Sequence, residues 1–249
     1  MNIGLYQSAS ALSAIERWQD VVSQNISSSQ STAYRKRTVN FSTELAGEIQ
    51  TESHARIGRD AGAPGLFPKM NTGINFNVGE NLPTHNDLDV AIQGDGFFQV
   101  QRADGTKAYT RGGDFRLRPD RTIVTSGGDL VLSTSGSPLV LRSGGGTIVI
   151  NGSGNIMQGG VSVGKIAVQK FADNSQLRPI AGCNFIAPEG VEPVAVEEPT
   201  VIQGYLEGSN TSSLREMVDM VIISRAYEAN QKIISTVDQT MEKTLQALG

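Results

Sequence analysis

The sequence predicts an α+β protein, with long N- and C-terminal helices pairing as a coiled coil and a central all-β domain of short strands and turns between them. Three observations lead there. Apolar residues recur in sevens at both ends of the chain. Between those ends, β-forming runs are broken by turn signals roughly every 8–12 residues, the spacing of a sandwich or barrel-like domain. Finally, 28 glycines with only 18% charged residues in a chain of 249 suit many turns better than a helical globule.

Residues 1–33 read as the N-terminal amphipathic helix. Leu5, Leu12 and Ile26 stand at heptad spacing, with Gln19 at the missing step. Ile15 and Val22 form a second row, which Ser8 completes. The serine-rich "SSSQST" that follows Ile26 weakens helix and suits a cap or turn. Arg35-Lys36-Arg37 is the one dense basic cluster, and after a helix C-terminus it reads as a solvated segment.

Residues 34–81 read as an extended connector with a short strand near "GINFNV", because "GRDAGAPGLFPKMNTG" follows neither the helical nor the strand period. Residues 82–204 carry the β signals. "LDVAIQGDGFFQVQ" is strand-forming but broken at Gly94-Asp95-Gly96, where a turn or bulge fits. "FRLRPDRTIVTS" predicts a hairpin around Pro119-Asp120, "TIVINGSGNIM" one at Asn151-Gly152, and "VSVGKIAVQKF" one further strand.

Residues 205–249 hold the C-terminal helix. Ser213 and Glu216 have capping-box spacing. Met220, Tyr227, Ile234, Met241 and Leu248 then recur in strict sevens, with Ile223 and Val237 in a companion row. One turn departs from this stripe. Leu214, Met217, Val218, Met220, Val221, Ile222 and Ile223 surround the helix instead of lining one side, so a single partner helix covers only part of them. The heptad rows and this turn together form the candidate interaction site.

Chemistry-bearing motifs are sparse. His54 and His85 lack metal-ligand spacing, and "HNDLD", with His85, Asp87 and Asp89, reads as turn and strand-entry chemistry. "QGDGFF" is not followed by the Lys-Ser/Thr and helix of a phosphate loop, and "RSGGGT" fails the same test. The single cysteine, Cys183, has no partner for an intramolecular disulfide or a thiolate zinc site. No catalytic, cofactor-binding or metal residue is therefore expected, nor a cofactor or small-molecule substrate. A net charge of −4 gives no reason to expect nucleic acid, and no run is apolar enough for a membrane span. The first residues lack the basic-then-apolar pattern of a cleaved secretory signal.

Three stretches resemble the bacterial flagellar rod and hook family of axial proteins. Near the C-terminus these are Leu206, Glu207, Ser209, Asn210, Glu216, Met217, Val218, Met220, Arg225, Ala226, Tyr227, Glu228 and Asn230. In the middle they are Gly94, Gly96, Phe97, Phe98, Tyr109, Thr110, Arg111 and Phe115. Near the N-terminus Asn25, Ile26, Thr32, Tyr34 and the basic residue after it agree, while Ser27, Ser28 and Ala33 replace the family's Ala-Asn and Gly.

That resemblance implies a non-enzymatic rod subunit that polymerises with itself and with other rod and hook–basal-body proteins. It further implies passage through the flagellar type III export apparatus without a cleaved signal, and residence in the basal-body rod within the periplasmic space. Length and the "EGSN" wording favour the proximal over the distal rod position. A reading of another class is a secreted β-domain binding module dimerised by its terminal helices.

Overall fold

The computed structural model describes residues 3–45 and 66–248. His54 and most of the glycine- and proline-rich part of the connector lie outside them. The chain divides into two compact units. One comprises Met1–Ser27, Arg37–Ile74 and Ser212–Gly249, and the other Ser28–Lys36 and Asn75–Thr211.

The first unit holds both helices. α1 runs Ile3–Ser27 and α2 runs Ser213–Leu248. Between them in sequence, β1 (Arg37–Leu45) and β2 (Leu66–Ile74) pair antiparallel in an unbroken register from Arg37↔Ile74 to Leu45↔Leu66. Residues expected as an extended connector thus supply a nine-residue ribbon, and β2 ends at Ile74 before "NFNV". The ribbon lies on α1, where Phe41 meets Trp18 edge to face at 5.5 Å.

The expected coiled coil is corrected. The apolar core shared by the two helices is short: Ile15 and Val22 of α1 with Ile223 of α2, flanked by Trp18, Ile26, Met220, Ala226 and Tyr227. Along α2 beyond Tyr227, Ile234 and Val237 are only half-buried. On α1, Ala14 and Val21 are buried beside Ile15 and Val22, and Gln19 at the heptad step is exposed. That buried band is wider than a two-row seam, because α1 packs against the β1–β2 ribbon as well as against α2. The heptad spacing reflects a helix in a mixed α/β packing. It does not extend as knobs into holes along two long helices.

The capping-box reading is corrected, because the helix begins one residue earlier than a Ser213 cap requires and Arg215, not Glu216, takes the third helical position. Glu216 N donates to Ser212 O at 3.0 Å, so Ser212 supplies the first helical acceptor.

The second unit is the β region. Its largest sheet is antiparallel and nine-stranded. Seven strands run in the order β14 (Arg178–Ile180), β15 (Asn184–Ile186), β6 (Lys107–Thr110), β5 (Phe97–Gln101), β9 (Leu130–Val131), β8 (Ile123–Thr125) and β7 (Phe115–Leu117). β13 (Val168–Lys170) joins at β5 and pairs in turn with β16 (Val194–Ala195). A three-stranded sheet has the order β10 (Ile148–Ile150), β11 (Asn155–Gln158) and β12 (Val161–Lys165). Two further pairs complete the unit. These are β4 (Val90–Gln93) with β17 (Thr200–Gln203), and β3 (Asn81–Pro83) with β18 (Tyr205–Glu207).

Local chemistry explains the breaks. Between β4 and β5, Gly94 and Gly96 take φ of 90° and 134°, and a side chain at Gly96 would begin 2.8 Å from Val168 Cγ1. Past this break Phe97 and Phe98 point to opposite faces and are both buried. Phe97 packs among Phe76, Phe171 and Phe185, whereas Phe98 packs on Phe115. The hairpin at Pro119-Asp120 forms as expected, with Asp120 Oδ1 accepting from Thr122 N at 3.0 Å. The β10–β11 turn also forms, but its left-handed residue is Gly154, not Gly152, because Asn151 Oδ1 holds Asn155 N and makes the loop four residues long. "VSVGKIAVQKF" gives two strands, β12 and β13.

Candidate assembly site

In the first unit, α2 presents two faces of different fate. Glu216, Met220, Ile223 and Tyr227 follow one another at four- and three-residue steps, so they share one side of the helix. Ile223 is fully buried there, and Met220 and Tyr227 pack beside it. At about 100° per residue, Leu214, Val218, Val221 and Ile222 fall on the opposite side, with Met217 on the flank that joins it. That side is open: Leu214 is 75% exposed, and Met217, Val218, Val221 and Ile222 are each at least half exposed. A helix bearing one partner face ordinarily places charge on its reverse; here the reverse is apolar.

The sequence-derived residues therefore separate into groups. Ile15, Val22 and Ile223 come together in the core, with Ile26, Met220 and Tyr227 against them. Leu12, Ile234 and Val237 are half-buried. Leu214, Met217, Val218 and Val221 form the uncovered face with Ile222. The side chains of Leu5, Met241 and Leu248 lie outside the described residues.

Buried polar residues fix the start of α2, a role the heptad reading misses. Glu216 and Asn25 are each 1% exposed. Asn25 Nδ2 donates to Glu216 Oε2 at 2.9 Å and to Arg37 O at 2.9 Å, while Asn25 Oδ1 accepts from Arg37 N at 3.0 Å. One amide thus ties α1, β1 and α2 together, and its partners lie 12 and 191 residues away. Farther along α2 the hydroxyls of Thr236, Thr240 and Thr244 bond carbonyls four residues back at 2.7 Å, which satisfies them within the helix.

The second unit organises Glu207 and Asn210 in the same manner. Glu207 accepts from Gly79 N at 2.9 Å and pairs with Arg35 at 2.6 Å and Arg111 at 3.3 Å. The expected solvated basic cluster is corrected here. Arg35 is buried against Glu207, and Lys36 and Arg37 are half-buried. Asn210 Oδ1 accepts from Lys36 N at 2.6 Å, and its Nδ2 donates to Asn75 O and Asn77 O at 2.9 and 2.8 Å. Ala33, fully buried at φ 57°, donates its N–H to Glu207 O at 2.7 Å. Burial pushes the Arg111 guanidinium below its ordinary value, and neighbouring Arg35 adds to this while Glu207 opposes it. Arg111 also donates to Gly94 O at 2.6 Å and lies over the Phe97 ring, 5.8 Å from its centroid.

The chemistry-bearing candidates sit as follows. His85 is exposed at φ 61° in the loop between β3 and β4, where Asn86 Nδ2 donates to Asp89 Oδ2 at 2.9 Å. Cys183 is half-buried. Among the described residues no cluster of three His, Cys, Asp or Glu could hold a metal, and no helix is long and apolar enough to cross a membrane.

Comparison with known proteins follows the same two parts of the chain. The D1 domain of flagellar hook protein FlgE/F/G matches residues 91–164, within the β unit, and the C-terminal part of flagellar basal body rod FlgEFG protein matches residues 202–247. The class is thus that of the hook and rod proteins. Full-length relatives narrow it. A flagellar basal-body rod protein FlgF of Caulobacter vibrioides is 30% identical over 251 residues, covering 100% of this chain and 99% of its own. A flagellar basal-body rod protein FlgG of Agrobacterium fabrum is 30% identical, covering 93% of this chain and 94% of its own. One from Borreliella burgdorferi is 31% identical, covering 95% of each. This chain belongs to the flagellar basal-body rod protein family.

Proposed function

We propose that this chain is a structural subunit of the flagellar basal-body rod, polymerising with copies of itself and with other rod and hook–basal-body proteins into the shaft that carries motor torque. The observation that carries this reading is the apolar face of α2, on the side opposite its own packed face. An exposed apolar patch on an ordered helix is a contact surface waiting for a partner. In a helical polymer each subunit supplies that partner to the next, and heterologous contacts of this kind grow without closing.

Catalysis has no part in the reading. The chain reaches the rod through the flagellar type III export apparatus without a cleaved signal. Its position is proximal, which its length and its "EGSN" wording support.

The test is complementation of a strain lacking the gene with Leu214→Asp and Val218→Asp variants. Rod assembly and swimming are expected to fail while the protein remains folded and exported. Normal rods from both variants would refute the role of this face. Immunolabelling of purified basal bodies checks the position, and label at the hook-proximal end would refute a proximal subunit.

A further inference from the structure

The second unit buries more positive than negative charge. Arg35 and Arg111 both pair with Glu207, and all three side chains are at most 3% exposed. Two guanidiniums against one carboxylate leave an excess of one positive charge. Among the described residues no other carboxylate lies within ion-pair distance of either arginine; Asp95 acts on Arg111 only from beyond that distance, being 71% exposed and paired with Lys170 at 3.3 Å. Hydrogen bonding is incomplete as well. Arg35 Nε, Nη1 and Nη2, Arg111 Nη1 and the acceptor Glu207 Oε2 are buried without a hydrogen-bond partner. A guanidinium cannot relieve this by losing its proton. Buried charge left uncompensated is strongly unfavourable, and buried donors without acceptors are rare in folded proteins.

We propose that a small monovalent anion of chloride's size binds in this cluster, held by the unpaired N–H groups of Arg35 and balanced against the Arg35–Glu207–Arg111 charge. A water molecule satisfies the donors but leaves the charge, whereas an anion satisfies both. The burial of the donors selects a compact ion over a phosphate or a partner's carboxylate.

The test uses the full chain as monomer, with chloride exchanged for gluconate at constant ionic strength. The melting transition of the β unit is expected to rise about 3–5 °C for each tenfold increase in chloride above the dissociation constant. Gluconate, too large for the site, gives no rise. Arg35→Met leaves Arg111 and Glu207 as a neutral pair, so this variant is expected to fold and to lose the chloride dependence.

Equal melting in chloride and gluconate overturns the proposal, as does a chloride dependence that survives Arg35→Met. Should Arg35→Met fail to fold, crystals of the parent protein grown in bromide decide. An anomalous peak at hydrogen-bonding distance from Arg35 Nη1 is expected, and its absence makes the site a hydrated one.

Discussion

Replacing Asn25 by alanine removes one side chain and loosens three elements at once. The amide makes three hydrogen bonds at 2.9–3.0 Å, two to the backbone of Arg37 and one to the Glu216 carboxylate. A neutral hydrogen bond contributes about 1 kcal/mol net, and one to a charged group about 1.5–3 kcal/mol. Summed, Asn25→Ala costs about 3–5 kcal/mol, a large part of the stability of an ordinary domain. The assay is urea unfolding followed by far-UV circular dichroism, which reports α1 and α2. A double-mutant cycle with Glu216→Gln separates the charged bond, whose coupling is expected to exceed about 1 kcal/mol. Asn25→Asp is expected to be worse than Asn25→Ala, because it sets a second carboxylate against Glu216. A loss below about 1 kcal/mol for Asn25→Ala, or a cycle without coupling, would refute this account of how α2 is anchored.

The remaining predictions concern the β unit. A Cβ at Gly113 would sit 1.7 Å from Val90 O, so Gly113→Ala is expected to destabilise the β unit by about 3 kcal/mol, measured by denaturant titration. Ala33→Val places a β-branched residue at φ 57° in a fully buried position, with an expected loss of about 2–3 kcal/mol in the same titration. Burial, with Asp114 nearby, pushes the Cys183 thiol up, against a smaller opposing effect of Arg35. The reactive thiolate is therefore scarcer at pH 8 than in an unstructured peptide. Its alkylation rate should be lower there and should reach half-maximum at higher pH than the peptide's.

The legible parts of this fold were those written in local pattern. Apolar periodicity located both helices, and the glycines at 94 and 96 located the break between β4 and β5. Heptad spacing overreached, however. It marks which residues face a partner but not whether that partner is a helix, a strand or another molecule. In α1 the neighbouring pairs Ala14–Ile15 and Val21–Val22 are all buried, which already exceeds a two-row seam. The apolar run at 214–223 was more telling, because its all-round pattern signals an uncovered side, and the structure leaves that side open.

The polar framework was visible only as motif residues without roles. Asn25, Glu207, Asn210 and Glu216 are types that usually face solvent, and their partners lie up to 191 residues away. Arg35 misled for the same reason: three consecutive basic residues suggest solvation, while Glu207 takes the first of them into the interior.

The central claim is that the open face of α2 is a contact between subunits, and its burial on assembly can be measured directly. In a Cys183→Ser background, a cysteine replaces Val221 or, separately, Val218, and a water-soluble maleimide is applied to the monomer and to purified basal bodies. Both positions are more than half exposed in the single chain. Rapid labelling of the monomer and protection in the rod is the predicted result. Equal labelling in both states would contradict the account.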